Sequence, residues 1–350
     1  MAQPLMGVIT NPNSKKNRMN PGRYETLKRL VGDVGLVKRT HHTGEIADVV
    51  REFLDAGVPY WLADGGDGAF HWLVNVLQQV LAERGHQGPL PAIMPTNAGT
   101  IDFIGRKAGV VGQTEHLIVA LGQTLRAGEA PEIVTLDSLR VTGMHGRDAD
   151  FPGRPFAKIG FAAALAGAGQ RVFDKFYAQQ NQSGLGVMQV VAKTLTSAAS
   201  QSPALSWLPM PVTWRHFADT IFEPQPLDVW VDGELKPMRW YRDLDVGAID
   251  INLAGVFRFF PCAAQPGVLH VQGGDVHPWE IAKNLPAMAR GQPFHIRNFF
   301  QGPARHLRVV ARQGRAIDPV IDGELYYGLI EADVALGPPI RVVVVRGAGS

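Results

Sequence analysis

Gly65, Gly66, Asp67, Gly68 and Ala69, set between a short apolar run and an amphipathic one, have the types and spacing of an anion-binding turn. Glycines are free to take positive φ and carry no side chain to hold a ligand off, so successive N–H groups can converge on a phosphate. A helix starting near Ala69 would add the partial positive charge of its N-terminus. Asp67 is the odd member, because a carboxylate among phosphates is repulsive unless a cation or a reacting hydroxyl stands between them; magnesium-nucleotide or an alcohol acceptor would satisfy it. The same residues also serve as a plain strand-to-helix turn with Asp67 as a cap. A second polar turn, Pro95 to Phe103, offers the Thr100 hydroxyl and the accessible backbone of Gly99, with Asp102 either capping the next segment or taking part in chemistry. A third follows the first apolar run, where Asn11 to Ser14 lead into Lys15, Lys16 and Arg18, a phosphate-capturing set or a solvated loop.

The elements that must position these turns alternate. Leu5–Thr10, Gly35–Lys38, Tyr60–Ala63 and Pro91–Met94 read as strands; Gly22–Val31, Glu45–Ala56, Ala69–Arg84 and Gln113–Arg126 read as helices. That alternation predicts a doubly wound parallel sheet, in which ligands bind beyond the carboxyl ends of the strands, where all of these turns and Thr40–Gly44 would gather. From Glu132 onward the pattern becomes short strands separated by Gly, Pro and Asp turns, interrupted by a helical insert at Ala162–Ser200 and an aromatic, proline-rich piece at Trp207–Phe222. The expected organisation is an α/β domain over 1–130 and a β-sandwich domain over 131–350 carrying the helical insert, its last strand able to return toward the first domain. Asp-Gly-Glu occurs twice, at Asp232–Glu234 and Asp322–Glu324, each after an alternating apolar run, and Asp-Gly alone signals a hairpin turn.

Composition narrows the classes. A chain of 350 residues with 45% hydrophobic residues can bury a large core, and a net charge of +2 gives no basic footprint for nucleic acid. Cys262 is the only cysteine, so neither an intrachain disulfide nor a cysteine-cluster zinc site can form. No basic region precedes an apolar core at the start of the chain, and the longest apolar stretch, Ile159–Gly169, is far shorter than the roughly 20 residues of a membrane span. A cytoplasmic protein is expected, with any membrane contact peripheral.

Taken in order, NPNSKK, Thr40 with Gly44 and Ala47, GGDG with Val74-Asn75 in the following helix, the PTNAGTIDF turn and a late DGE resemble the diacylglycerol kinase catalytic family, which includes soluble bacterial lipid kinases and the sphingosine and ceramide kinases. The resemblance spans nearly the whole chain. It implies an active site between the two domains and ATP-dependent phosphorylation of a lipid hydroxyl at the inner face of the membrane, with a homodimer left open. By position, Asn11, Thr40, Gly65, Gly66, Asp67, Gly68, Ala69 and Thr100 would contact ATP; Asp322 would be the general base, Glu324 its neighbour, and Asp67 would orient ATP-magnesium or the acceptor hydroxyl. The chain departs from the family in having Ala69 where a threonine is usual, His71-Trp72 where Asn-Glu is usual, and no Asn after Thr100-Ile101. The family's acidic pair in a second-domain turn is replaced by Pro261–Gly267, which holds no carboxylate, so magnesium is expected only as it travels with ATP. Two other readings compete. Asn97–Phe103 also resembles the corresponding turn of NAD kinases, although no Thr-Gly-Ser-Thr-Ala-Tyr-like stretch follows, and the eroded motifs suit a catalytically silent nucleotide- or lipid-binding homologue.

Overall fold

A computed structural model describes residues 3–345 except 13, 15–16, 18, 87–89, 100, 148–151, 179–183, 203–204, 206, 208, 254–256, 291 and 293–294. Two compact units result, 1–136 with 338–350, and 137–337.

The first unit is the expected α/β fold. Strands β1 (Met6–Thr10), β2 (Gly35–Arg39), β3 (Tyr60–Asp64) and β4 (Ala92–Pro95) run parallel in the order β2-β1-β3-β4. The strand Ile340–Val344 lies parallel to β4, and β5 (Glu132–Leu136) closes the edge antiparallel to it. Helices α1 (Arg23–Val31), α2 (Ile46–Asp55), α3 (Asp67–Glu83), α4 (Phe103–Ala108) and α5 (Thr114–Arg126) connect the strands, α1 packing with α5 and α2 with α3. Val8, Leu62, Ile93 and Val342 are fully buried in the sheet, which is why these strands read as continuous apolar runs and not as alternating ones. The chain passes from β1 to β2 on one side and from β2 back over β1 to β3 on the other. The topological switch therefore falls between β1 and β3, where Thr10 and Asp64 stand opposite each other.

The second unit contains two large antiparallel sheets and a two-stranded one. Its strands are β6 (Leu139–His145), β7 (Pro155–Gly160), β8 (Ala162–Gly167), β9 (Gln225–Val231), β10 (Glu234–Leu235), β11 (Trp240–Tyr241), β12 (Asp243–Gly247), β13 (Ile251–Leu253), β14 (Phe257–Phe259), β15 (Leu269–Gly274), β16 (Phe299–Ala304), β17 (His306–Ala311), β18 (Val320–Ile321), β19 (Glu324–Leu325) and β20 (Leu329–Leu336). One large sheet has the order β10-β9-β17-β20-β6-β7, with β11 on β9; the other has the order β16-β15-β12-β8-β18-β19; β13 and β14 form the two-stranded one. Val141, Val229, Val309 and Val334 of the first pack with Leu165, Leu244, Val271 and Ile321 of the second in one buried core, which makes the unit a sandwich. Five helices accompany the sheets among the described residues: α6 (Ala168–Tyr177), α7 (Gly184–Ser200), α8 (Val212–Arg215), α9 (Phe217–Ile221) and α10 (Pro278–Ala289). Among the described residues no helix is long and apolar enough to cross a membrane.

The structure departs from the sequence reading in several elements. Ala162–Gly167, read as the start of the helical insert, is β8, because pairing with β12 and β18 and burial of Ala163 and Leu165 outweigh the helix preference of alanine. Glu132–Leu136, read with the second domain, joins the first sheet. Helix α10 went unread, since Pro286 lies inside it. Of the run Phe294–Phe299 read as a strand, Phe294 lies outside the described residues and, of the rest, Phe299 alone belongs to one.

Candidate active site

Each polar turn of the first unit is built where a strand ends. After β3, Gly65 and Gly66 carry the chain into α3, which begins at Asp67, two residues before the sequence reading placed it. None of Gly65, Gly66 and Gly68 has a positive φ; Gly66 is extended, at φ −91° and ψ −160°. The need for glycine is steric instead. A Cβ on Gly66 would stand 2.5 Å from the Gly99 Cα, and one on Gly65 would stand 2.5 Å from the Ala69 Cβ. Two glycine turns thus press backbone against backbone, and the Ala98 N–H donates to the Gly65 carbonyl at 3.2 Å.

Asp67 fastens this contact. Its Oδ2 accepts from the Phe103 N–H and its Oδ1 from the Ile104 N–H, both at 3.2 Å, so it caps α4 from 36 residues away in sequence. Asp102, in the left-handed region at φ 49°, turns its Oδ1 to the Gly99 N–H at 2.9 Å. Asn97, also left-handed, donates to the Val110 carbonyl at 2.9 Å. The four N-terminal N–H groups of a helix have no partner within it, and α3 presents this end beside the two turns. Thr100 lies outside the described residues.

At the topological switch sits a polar network that the sequence reading did not single out. Asp64, almost fully buried at the end of β3, accepts from Thr10 Oγ1 at 2.6 Å, from Asn17 Nδ2 at 3.2 Å and from Arg23, whose Nη2 reaches Oδ1 at 2.6 Å and whose Nε reaches Oδ2 at 3.3 Å. Arg23 also pairs with Glu115 of α5. Burial works against the Arg23 charge, but Asp64 and Glu115 outweigh it and hold the guanidinium pKa above its ordinary value. Asn17 further donates to the Asn11 carbonyl at 2.9 Å, which ties the loop after β1 to the same carboxylate. Thr40, buried after β2, donates its N–H to the Thr10 carbonyl at 2.9 Å. Beside the network opens a cavity of about 220 Å³ lined by Thr10, Asn17, Arg23, Tyr24 and Arg39, among others. The Arg39 guanidinium lies 4.1 Å from the Tyr24 ring centroid. A sequence signal for Asp64 did exist: an acid closes the otherwise apolar run YWLAD directly before two glycines. Lys15, Lys16 and Arg18 lie outside the described residues.

In the second unit the two Asp-Gly-Glu copies adopt one conformation. Asp322 and Gly323 join β18 to β19 at φ 52° and 90°, and Asp232 and Gly233 join β9 to β10 at 51° and 85°, the pair of positive values required by a two-residue type I′ turn. Each aspartate also clasps a third strand. Asp322 Oδ1 accepts from the Phe161 N–H at 2.8 Å and the Ala162 N–H at 3.0 Å; Asp232 Oδ1 accepts from the Arg305 N–H at 2.9 Å and the His306 N–H at 2.8 Å. The copies differ in burial, Asp322 being buried and Asp232 exposed. Around Asp322, the Tyr177 hydroxyl donates to the Gly323 carbonyl at 2.9 Å. Burial first, and then the nearby Glu324 charge, push the Tyr177 phenol up to about 12 and raise that of Tyr326.

Among the described residues no three His, Cys, Asp or Glu side chains converge to hold a metal ion. Pro261–Ala264, in the turn that lacks carboxylates, is a short 3₁₀ helix. The glycine turns and the start of α3 supply backbone donors of the kind that could hold a phosphate.

Residues 6–130 match the model of the diacylglycerol kinase catalytic domain. That stretch holds every first-unit turn described above, and a kinase is the class of enzyme it supports. No curated protein matches the chain in sequence. In fold, the chain is similar to a candidate diacylglycerol kinase from Bacillus anthracis str. Sterne, at 13% identity and a TM-score of 0.62 over 98% of this chain and 97% of that one. A diacylglycerol kinase structure from the same organism aligns at 12% identity, a TM-score of 0.56 and the same coverage. Yeast NADH kinase, solved with NADH, aligns at 10% identity and a TM-score of 0.51 over 99% of this chain and 85% of that one. The likeness in fold to these structures extends through both units.

Proposed function

We propose that this protein is an ATP-dependent lipid kinase that transfers the γ-phosphate to a hydroxyl of diacylglycerol or a related lipid at the inner face of the membrane. The observation that carries the reading is the backbone contact of Gly66 with Gly99, which sets two side-chain-free turns beside the N-terminus of α3 within a diacylglycerol kinase catalytic domain. Asn11, Thr40 and Gly65 to Ala69 bind the nucleotide in this reading, together with Thr100. The cavity beside Arg39 and Tyr24 is suited to another part of the same nucleotide. Magnesium supplies charge neutralisation when it arrives with ATP. Asp322 accepts the proton of the acceptor hydroxyl, Glu324 supports it electrostatically, and Asp67 keeps the phosphate turns in register. The test is transfer of labelled phosphate from ATP to a panel of diacylglycerol, monoacylglycerol, sphingosine, ceramide, undecaprenol and NAD. A labelled lipid is expected. Label in NAD alone would establish the second reading, an NAD kinase-like enzyme, which the fold likeness to yeast NADH kinase favours. No labelled product at all would leave a silent nucleotide- or lipid-binding homologue.

A further inference from the structure

The helices of the second unit carry an unusual surface. The segment after α7 is tied down by polar bonds: Ser197 Oγ and Gln201 Nε2 donate to the Arg215 carbonyl at 2.7 and 2.9 Å, and the Ala218 N–H donates to Ser197 Oγ at 2.8 Å. Around this junction large apolar side chains stand outside: Trp207 is 74% exposed, Val212 73% and Trp214 48%. Trp279 on α10, at 37%, is exposed as well, and α10 packs on α7, as do α8 and α9, so these residues belong to one helical layer. The cations of the layer sit among the aromatics. Lys193 Nζ lies 5.2 Å from the Trp214 ring centroid and 4.1 Å from that of Phe217, and Lys283 Nζ lies 5.8 Å from Trp279. With α6, which also packs on α7, Arg171, Lys175, Lys193, Arg215, Lys283 and Arg290 outnumber Asp174, Asp219 and Glu280, and Asp219 is engaged by His216 and Gln201.

Exposed indoles with lysine ammonium groups close to the rings are an arrangement that suits a lipid–water boundary, the rings entering the headgroup region and the ammonium groups meeting lipid phosphates. We propose that the surface around α8 and the C-terminal half of α7 docks on an anionic phospholipid bilayer, with Trp207, Val212 and Trp214 as the inserting residues and Lys193 as the charge contact. The proposal rests on the lipid-kinase reading only for its purpose, since the binding itself is tested without catalysis.

The experiment is co-sedimentation of the full chain with vesicles of phosphatidylcholine alone and of phosphatidylcholine with phosphatidylglycerol. Parent protein should sediment with the anionic vesicles, less with the neutral ones, and less again at high salt. The Trp207→Ala, Trp214→Ala double variant, shown by its melting temperature to be folded, should bind at least about tenfold more weakly. Lys193→Ala should lose roughly fivefold. No sedimentation of the parent, or equal binding by the parent and the tryptophan variant, overturns the proposal. So does a parent dimer in sedimentation velocity that the tryptophan variant converts to monomer without loss of vesicle binding, because the face is then an interface between copies. Vesicle binding by a parent that phosphorylates no lipid supports the docking face and removes the kinase reading. Phosphorylation of a short-chain soluble acceptor by a parent that ignores vesicles does the reverse.

Discussion

Asp322 and Asp232 form a natural control for one another, because each occupies the first position of a type I′ turn and each gives its Oδ1 to two neighbouring backbone N–H groups. Substitution by Asn keeps an oxygen for those donors and tolerates the left-handed φ, so the structural loss is confined to charge assistance. That is about 1 kcal/mol at buried Asp322, a fall of about 2–4 °C in melting temperature for a unit of this size, and less at exposed Asp232. A general base contributes about 10²- to 10⁴-fold in rate, or about 3–5 kcal/mol of barrier, which is well above the structural loss. Asp322→Asn should therefore lower kcat by that order with the KM for ATP nearly unchanged, whereas Asp232→Asn should leave kcat within about twofold of the parent. Initial rates against the acceptor identified in the transfer panel, with melting curves for both variants, provide the comparison. Equal losses of kcat in the two, or an Asp322→Asn enzyme within a few-fold of the parent, would show that the Asp322 carboxylate only clasps β7 to β8 as Asp232 clasps β16 to β17.

Gly66→Ala should weaken ATP binding by at least about tenfold, because the added Cβ collides with Gly99 and overpacking of this kind costs about 1–3 kcal/mol; unchanged affinity by calorimetry would remove the phosphate-turn assignment. Asp67→Asn keeps one acceptor of two for α4, so the fold should persist while turnover drops; hydrogen exchange at Phe103 and Ile104, measured beside kcat, separates loosening of the turn from lost chemistry. Asp245 is pushed up to about 7 by burial, and burial with the Asp245 charge holds its neighbour Asp243 well above the ordinary carboxylate range. A raised carboxyl means that the folded state holds a proton which the unfolded state releases near pH 4, so the parent loses stability as pH climbs from about 4 through 7. His270, lowered to about 4 mainly by burial, acts in the opposite sense below its unfolded value near 6.5, which makes the difference between variant and parent the useful quantity. Asp245→Asn should melt progressively higher relative to the parent over pH 5 to 8, and a difference independent of pH would refute the burial argument.

Legibility differed between kinds of interaction. The alternation of apolar runs and helical spacing reported the parallel sheet because both faces of those strands are buried, and Asp-Gly reported two hairpins because only Gly, Asn and Asp tolerate their φ values cheaply. β8 was illegible: six residues rich in alanine are helix-like locally and become a strand only through β12 and β18, which lie far away in sequence. The role of the glycines was legible in kind and wrong in mechanism. They were expected to supply positive φ, and they supply closeness instead, a property of two segments some 33 residues apart that no local pattern can encode. The Asp64 cluster was unread for the same reason, since Thr10, Asn17, Arg23 and Glu115 converge on it from three elements and a loop.

That cluster bears on how the first unit can hold a polyanion at all. Arg23 is the cation nearest the switch point among the described residues of its cavity wall, yet Asp64 and Glu115 already engage it, so its charge is largely compensated before any nucleotide arrives. A buried ion pair with its remaining donors and acceptors satisfied contributes little net stability, but removing either partner leaves an uncompensated charge worth about 3–5 kcal/mol. The pair is therefore better understood as fixing the ends of β1 and β3 and the loop bearing Asn11 than as an anion trap. In the proposed reading, phosphate is then held by backbone N–H groups, the N-terminus of α3 and Arg39, which ion-pairs with no acid among the described residues and stacks on Tyr24. On this division of labour, the positive charges that hold the site together and the donors that hold the ligand are different groups, and Ala69, lacking a hydroxyl, weakens the second set without disturbing the first.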